Sequence, residues 1–372
     1  MNFDLSEDEE LLKALAERFV VDHYDIESRR RFLAEPHGFS PANWKLLGDL
    51  GLIAAMFDTE AGGLDLDATG IATVFEALGR GLVVEPLIEN VLLAGRLFAA
   101  TATEPLRGAW LPSLLAGERR IALAHVEERS RDGRAWIETR ATVDGGGWRI
   151  SGEKAYVPAA GGADGFIVSA RGEGAPDDND GVGLFFVPAD ASGLSLAHWH
   201  MADGSVAASL RFDDVAVDGA GRLTGGLAEI AVAGELASLA RSAEAIGVME
   251  RIFSETIDHL RTREQYGARL ASFQALQHRM VAHYAAIEQA RGLMNLAMVS
   301  WRQPEFGSAV LGARAFVSEV SVALGHDMIQ FHGGMGVTDE LSVGHGHKRL
   351  LVLSRWPDGP DAALDRFAGV ES

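Results

Sequence analysis

The chain has 372 residues, enough for two or three domains, and its 47% apolar and 23% charged residues are typical of a globular protein. Its net charge of −20 repels nucleic-acid phosphates and anionic membrane surfaces, so neither is an expected partner. The absence of cysteine excludes disulfides, thiolate nucleophiles, iron–sulfur clusters and cysteine-based zinc sites. The acidic N-terminus does not resemble a signal peptide and no uncharged apolar stretch reaches about 18 residues, so we expect a cytoplasmic protein without a membrane span.

Residues 1–117 have the pattern of an N-terminal helical domain. Apolar residues recur at helical spacing in the first helix, and Ser6 with acids behind it is a good N-cap. A second helix is predicted over residues 41–50. A longer one covers 67–80 and resumes from 86 to 100, and a short helix covers 104–116.

The pattern changes at residue 118. As far as residue 222, short apolar runs are separated by glycine, aspartate and proline, which is typical of strands. The runs cover residues 121–126, 136–143, 147–157, 165–171, 183–188 and 209–217. Their spacing predicts a central antiparallel β barrel or sandwich.

Residues 223–372 return to helical spacing. Long helices are predicted over 226–262, 268–301 and 306–331, with a fourth over about 340–355. Short joints between helices of this length favour an antiparallel four-helix bundle. The predicted class is therefore α+β, with domains 1–117, 118–222 and 223–372.

Two segments contain residues that could bind a nucleotide. In Arg261–Gly267 an arginine precedes a glycine break between two long helices, where a guanidinium could grip a diphosphate, although a basic last helical turn looks the same. In Gln330–Thr338 the glycines would let a phosphate approach the backbone, although a helix-ending turn also uses glycine. This second segment follows a helix, so it is not a Rossmann motif.

A third segment, Val343–Arg349, contains two histidines. His345 and His347 could ligate a metal, but no acidic third ligand lies at a useful spacing. We therefore predict no metal site.

Taken together in this order and spacing, the motifs resemble those of the acyl-CoA dehydrogenase family. RTREQYG with FQALQHRM resembles its Arg-x-Gln-Phe-Gly and Phe-Gln motif, and QFHGGMGVTDE its Gln-x-x-Gly-Gly-x-Gly motif. LRFDDVAV and GEKAYV resemble two strands of its β domain. The resemblance covers nearly the whole chain. It implies the same α–β–α fold and bound FAD.

The resemblance also implies the reaction and the cofactor contacts. In that family a carboxylate removes the α-proton of an acyl-CoA, the flavin takes the β-hydride, and electrons leave through an electron-transfer flavoprotein. By resemblance, the residues that contact FAD from one subunit are Arg263, Gln265, Tyr266 and Gln274. Gln330, Gly333 and Gly334 would reach the adenosine diphosphate of a neighbour's FAD, and the flavin would lie near Val126, Tyr156 and Val157.

The sequence departs from the family at the catalytic base. The two positions where members carry a glutamate fall on Pro357 and Ala237. Asp358 is one residue away from the first. Glu244 lies in an apolar stretch of the predicted helix and is a second candidate, although it could instead pair with an arginine such as Arg241. Further departures are Pro158, where the family has a hydroxyl that donates to the flavin, and the loop at 125–130.

This pattern resembles a bacterial subgroup that acts on bulky acyl-CoA thioesters, including steroid fragments. Two different dehydrogenase-like subunits can form an α2β2 heterotetramer there, and a chain without the base fits the accessory half. The alternatives are a homo-oligomer that uses Asp358 or Glu244, a nitroalkane-oxidase-like or monooxygenase-like flavoprotein, and a flavin-free structural or regulatory subunit.

Overall fold

The computed structural model of the chain describes residues 5–130 and 136–369, which fall into two compact units. Unit one comprises Met1–Arg31, Asp67–Val83 and Ser238–Ser372, and unit two comprises Phe32–Leu66 and Val84–Ala237. The ends of the predicted terminal domains, residues 1–4 and 370–372, lie outside the described residues. The predicted domain boundaries at 117/118 and 222/223 stay predictions.

The α-helices precede and follow a continuous run of strands, and only a short hairpin at 264–269 lies among the later helices. In chain order the helices are α1 (Glu7–His23), α2 (Ile26–Leu33), α3 (Pro41–Asp49), α4 (Leu52–Ala55), α5 (Ala68–Gly81), α6 (Ala94–Thr101), α7 (Glu104–Leu115), α8 (Leu227–Thr262), α9 (Gln274–Val299), α10 (Phe306–His332), α11 (Ser342–Arg355) and α12 (Pro360–Phe367). A π-helical turn, Ile88–Leu93, precedes α6.

Local sequence explains where α1 begins and which face it buries. The Ser6 hydroxyl accepts the Glu9 backbone N–H (3.3 Å), and the Glu9 carboxylate accepts the Ser6 backbone N–H (2.8 Å). This capping box confirms the predicted N-cap. Leu12, Ala16 and Phe19 then recur at helical spacing on the buried face, and α1 packs against α5.

Helices α5 and α8 cross at backbone contact because glycine occupies both sides of the crossing. A Cβ on Gly79 would lie 2.2 Å from the Glu244 carbonyl oxygen, and one on Gly247 would lie 2.1 Å from that of Glu76. Any larger residue at either position would force the two helices apart.

Helix α10 is the apolar core helix of unit one, and it packs against α9, α11 and α12. Among the described residues one helical segment, Phe306–Val337, is long and apolar enough to cross a membrane by length and composition alone. A helix that is surrounded by other helices needs the same apolar composition.

Unit two contains a seven-stranded sheet with the order β1-β4-β2-β3-β7-β6, and β5 also pairs with β4. The strands are β1 (Ile121–Ala124), β2 (Arg140–Asp144), β3 (Gly147–Pro158), β4 (Gly165–Arg171), β5 (Val182–Pro188), β6 (Leu194–His200) and β7 (Val206–Val217). The predicted α+β class is confirmed. The sheet differs from the expected antiparallel arrangement because β1 and β2 each pair with β4 in parallel.

The sheet has apolar residues on both faces. One face forms a core of alanine, branched aliphatic and phenylalanine residues from β1, β2, β3, β4, β5 and β7. The other packs against α6 and α7: the Phe186 ring of β5 meets Phe98 at 5.4 Å and Trp110 at 4.6 Å, both edge to face. Continuous apolar runs such as residues 165–171 are expected for strands covered on both sides.

Several elements differ from the sequence prediction: α2, α4 and α12 are additional helices, and β2 begins at Arg140 instead of residue 136. Strand β6 was not predicted, because its polar and aromatic residues are mostly exposed and give no apolar run. The helix predicted from residue 268 begins only at Gln274, since a short hairpin and a 3-10 turn occupy residues 264–272.

Candidate functional site

The motif at the end of α8 forms a tight β-hairpin in unit one. Glu264–Gln265 pairs with Ala268–Arg269, and the two turn residues, Tyr266 and Gly267, have φ angles of 55° and 78°. Two consecutive positive φ angles are typical of a type I′ turn, which suits glycine but strains tyrosine. Tyr266 is 94% exposed at the tip. The hairpin therefore holds an aromatic ring in solvent at some conformational cost.

The glycine segment after α10 has open backbone. Gly333 adopts φ 61° and ψ −141°, a conformation that is essentially limited to glycine. A Cβ added at Gly333 or Gly334 would meet no heavy atom within 4 Å. Gln330, one helical turn earlier, is exposed. This segment thus offers accessible main chain, as the resemblance requires for contact with a phosphate.

A stacked pair of histidines joins the end of α8, which leads into the hairpin, to the glycine segment after α10. The His259 ring on α8 stacks on His332 at the end of α10, with ring centroids 4.3 Å apart. Burial lowers the pKa of His259, and the charges of His332 and Arg263 lower it further. The stacked pair fixes the helix end that carries Arg263 beside the glycine segment.

The hairpin at 264–269 and the glycine segment 333–337 together form what we call the cofactor corner. Its predicted FAD-contacting residues are accessible to a ligand. Arg263, Gln265 and Gln274 are exposed like Tyr266. The corner therefore combines an accessible guanidinium, amide side chains and open glycine backbone, which is a donor set suited to a diphosphate. These residues fit the adenosine diphosphate part of FAD.

The predicted flavin-contacting segments belong to unit two, where they are tied to each other. The Ala155 backbone N–H donates to the Val126 carbonyl (2.9 Å), which joins the segment after β1 to β3. Tyr156 is partly exposed, and its ring meets Trp199 of β6 edge to face at 5.8 Å. Val157 is fully buried in the core of the sheet. A partly exposed aromatic pair beside a fixed backbone segment suits the planar isoalloxazine ring.

A buried ion pair lies below this segment, and sequence reasoning missed it. Lys154 is fully buried, and its Nζ donates to Glu127 Oε1 (2.7 Å), Ser169 Oγ (3.1 Å) and the His125 carbonyl (3.1 Å). Thr139 donates its hydroxyl to the same Glu127 oxygen (2.7 Å). The lysine thus holds the backbone of the predicted flavin segment in place. A lysine inside an apolar strand pattern was the available signal.

Burial and charge act in opposite directions on this pair. Burial lowers the pKa of Lys154 to about 8, although Glu127 opposes the shift. Burial alone would raise the pKa of Glu127, but the charge and hydrogen bond of Lys154 bring it below its usual value. The pair therefore remains ionised at neutral pH.

Glu244, a candidate base, is held by an arginine from another helix. Arg349 of α11 donates through Nε to Glu244 Oε1 (2.6 Å) and through Nη2 to Oε2 (2.9 Å). The Glu244 side chain is buried, and its backbone carbonyl lies at the crossing of α5 and α8. The sequence analysis named Arg241 as a possible ion-pair partner of Glu244, whereas the bidentate partner is Arg349.

Asp358, the other candidate, is held by two arginines. Arg314 is 2% exposed and donates through Nε to Asp358 Oδ1 (2.9 Å), and Arg366 donates to Oδ2. Arg314 also donates to the backbone carbonyls of Leu353 (3.3 Å), Trp356 (2.8 Å) and Asp358 (2.7 Å). Arg314 therefore immobilises the whole segment that follows α11, including Pro357.

The two histidines of α11 belong to the protein interior. His345 Nδ1 lies 2.8 Å from an Arg29 nitrogen, and His347 stacks at a tilt on His326, with ring centroids 4.7 Å apart. Within residues 5–130 and 136–369, no group of three potential ligands that could hold a metal is present.

Sequence models of the acyl-CoA dehydrogenase N-terminal, middle and C-terminal domains match residues 6–118, 123–215 and 234–366. The chain belongs to the acyl-CoA dehydrogenase family. Members of this family are FAD-dependent oxidoreductases.

Individual relatives agree with this assignment. The chain is 27% identical to the acyl-CoA dehydrogenase FadE27 of Mycobacterium tuberculosis, over 95% of this chain and 94% of that protein. The solved structure titled Tcur3481-Tcur3483 steroid ACAD G363A variant is 29% identical, with a TM-score of 0.87 over 98% of this chain and 97% of that one. The ChsE4-ChsE5 complex from Mycobacterium tuberculosis is 25% identical, with a TM-score of 0.89 over 99% and 98%.

Proposed function

We propose that the chain is the subunit lacking the catalytic base in a heteromeric, FAD-dependent acyl-CoA dehydrogenase. The enzyme would remove hydrogen from the α and β carbons of an acyl-CoA thioester and give a 2-enoyl-CoA. The proposal rests on the observation that arginines already pair with both candidate acids. Glu244 is bound by Arg349, and Asp358 is bound by Arg314 and Arg366.

A carboxylate in such a pair is a poor base for a carbon acid. To accept a proton it would have to give up hydrogen bonds that stabilise its ionised form, and it would have to reach the α-carbon from a fixed position. Neither family base position, Ala237 or Pro357, can accept a proton. A glutamate from another subunit would supply what this chain lacks.

The rest of the site would bind the cofactor. FAD, when bound, supplies the acceptor for the β-hydride. Arg263 would pair with its diphosphate, and the backbone at Gly333 and Gly334 would approach the same group. The remaining predicted contacts are Gln265, Tyr266, Gln274 and Gln330 on this corner, and Val126, Tyr156 and Val157 beside the flavin.

Two of the matched structures support a heteromeric enzyme on a bulky substrate. Their titles name a pair of components in each case, and one names a steroid dehydrogenase. We therefore propose a second dehydrogenase-like subunit, a bulky substrate of steroid or fatty acyl origin, an electron-transfer flavoprotein as acceptor, and a cytoplasmic location.

Co-expression with the dehydrogenase-like gene product of the same locus tests the proposal. We expect a yellow complex whose flavin is bleached anaerobically by an acyl-CoA. Glu244→Gln and Asp358→Asn should leave the bleaching rate within about threefold, because neither group contacts the reacting carbons. Replacing the partner's glutamate should reduce the rate by about 10²- to 10⁴-fold, which is the usual contribution of a general base.

The alternatives give different results. A colourless complex would indicate a flavin-free structural or regulatory subunit. Oxygen consumption without bleaching by acyl-CoA would indicate nitroalkane-oxidase-like or monooxygenase-like chemistry. Loss of bleaching in Asp358→Asn or Glu244→Gln, with the fold intact, would show that this chain carries its own base.

A further inference from the structure

Unit one contains a pocket that the proposed reaction does not use. It has a volume of about 330 Å³ and lies among α1, α5, α8 and α9. Its apolar lining includes Leu5, Ala72, Ile246, Met294 and Met298. A pocket of this size is at the lower end of the range for small-molecule sites.

Two arginines and a glutamate line the polar side of the pocket, and they already form a closed ion-pair cluster. Glu76 accepts hydrogen bonds from Arg80 (3.0 Å) and Arg291 (2.5 Å), and Glu250 accepts from the same two arginines (2.8 Å from Arg80). Burial would lower the pKa of Arg291, but its bonds to the two glutamates raise it overall. Glu17 of α1 also lies 3.9 Å from Arg80, so carboxylates fully compensate both arginines of this cluster.

Lys13 adds an uncompensated charge. The chain has four lysines, and Lys45, Lys154 and Lys348 each have a carboxylate oxygen within 3.1 Å of Nζ. Across residues 5–130 and 136–369, Lys13 has no carboxylate partner, although the chain carries 53 acidic residues. Lys13 is half-buried and lines the pocket. The pocket therefore combines one unpaired ammonium with an apolar wall.

We propose that this pocket binds a small organic monocarboxylate, with the carboxylate on Lys13 and the alkyl part against Ile246, Met294 and Met298. One unpaired cation matches a single negative charge. The methionine-lined wall favours an alkyl chain and gives nothing to a purely inorganic anion. The site is a second ligand site, which lies on a different part of unit one from the hairpin and glycine segment.

Methionine-methyl NMR on the purified protein, with its partner subunit where the two co-purify, tests this proposal. The methyl signals of Met294 and Met298 are assigned with Met294→Leu and Met298→Leu and followed during a hexanoate titration. We expect saturable shifts of both signals. Lys13→Gln should weaken hexanoate binding about tenfold or more, because a charged hydrogen bond is lost. Lys13→Arg should retain most of the affinity.

Matched controls separate this site from general effects. Lys45→Gln removes a lysine that is already paired with Asp49, and it should leave hexanoate affinity unchanged. Hexanol and inorganic phosphate, which lack the charge and the alkyl chain respectively, should shift the two methyl signals much less. Equal affinity in Lys13→Gln, equal shifts with hexanol or phosphate, or no saturable shift would overturn the proposal. The measurement uses no acyl-CoA or flavin signal, so it is independent of the proposed reaction.

Discussion

The cofactor corner and the base-position region, both in unit one, differ in how accessible their polar groups are. The cofactor corner is the hairpin at 264–269 with the glycine segment 333–337. There Arg263 is exposed and the glycine backbone is open. The base-position region comprises Glu244 and the segment 353–358. There Arg349 pairs with the Glu244 carboxylate, and Arg314 binds the Asp358 carboxylate and the backbone carbonyls around it.

The two regions correspond to two parts of the dehydrogenation reaction, which are cofactor binding and proton removal. Binding a dinucleotide needs accessible donors, which the corner retains. Removing a proton from carbon needs a carboxylate that is free to accept it, and arginine pairing removes that freedom. A chain that keeps the donors for a dinucleotide but lacks a free carboxylate is suited to share an active site with another chain.

The largest effect is expected in the base-position region at Arg314. Arg314→Met leaves the buried Asp358 carboxylate with one arginine and frees three backbone contacts, so the free energy of unfolding should fall by about 3–5 kcal/mol. Urea denaturation monitored by tryptophan fluorescence measures this change. Arg355→Met, in the exposed last turn of α11, should change stability by less than about 0.5 kcal/mol. A small change in the free energy of unfolding of Arg314→Met would mean that Arg314 does not hold Asp358 and its neighbouring backbone in place.

The next effect is expected at the cofactor corner. Arg263→Ala should weaken FAD binding by roughly 10- to 100-fold, because it removes a charge-assisted pair with the diphosphate. Since Arg263 is exposed, stability should stay nearly constant. Fluorescence titration of the apo-complex with FAD measures the Kd. Arg261→Ala, an exposed arginine two residues earlier, is the matched control. If both variants lose the same FAD affinity, the corner acts only through its general positive charge and Arg263 makes no specific pair with the diphosphate.

The smallest effect concerns pH and His347, which lies two residues before Arg349. Burial lowers the pKa of His347 to about 4, with His326 adding to the shift, and the unfolded value is 6.5. The unfolded chain therefore binds a proton between these values that the folded protein does not. Stability from this group is complete above about pH 6.5 and is lost as pH falls towards 4, by about 1–2 kcal/mol. Urea denaturation at pH 4.5 and 7.0 measures this loss.

His347→Leu should remove that part of the pH dependence. His23→Gln, at the exposed end of α1, should leave it unchanged. If His347→Leu keeps the wild-type pH profile, another group is responsible for the acid sensitivity.

Contacts between distant residues could not be read from the chain. Glu244 and Arg349 are 105 residues apart, and the sequence offered the neighbouring Arg241 as partner instead. The pairing of β1 and β2 with β4 in parallel depends on how the sheet closes, and local spacing is the same for either direction. The pocket beside Lys13 arises from four helices and has no linear motif.

The sequence by itself determined the order of helical and strand segments, the Ser6 cap, the long helices and the motifs of the cofactor corner, because periodicity, capping and glycine breaks are local properties. Only the tertiary structure decided the charge partners of Glu244, Asp358 and Lys154, the hairpin at Tyr266 and the unpaired state of Lys13. Those depend on which side chains meet across the fold, and burial then fixes the strength of each pair.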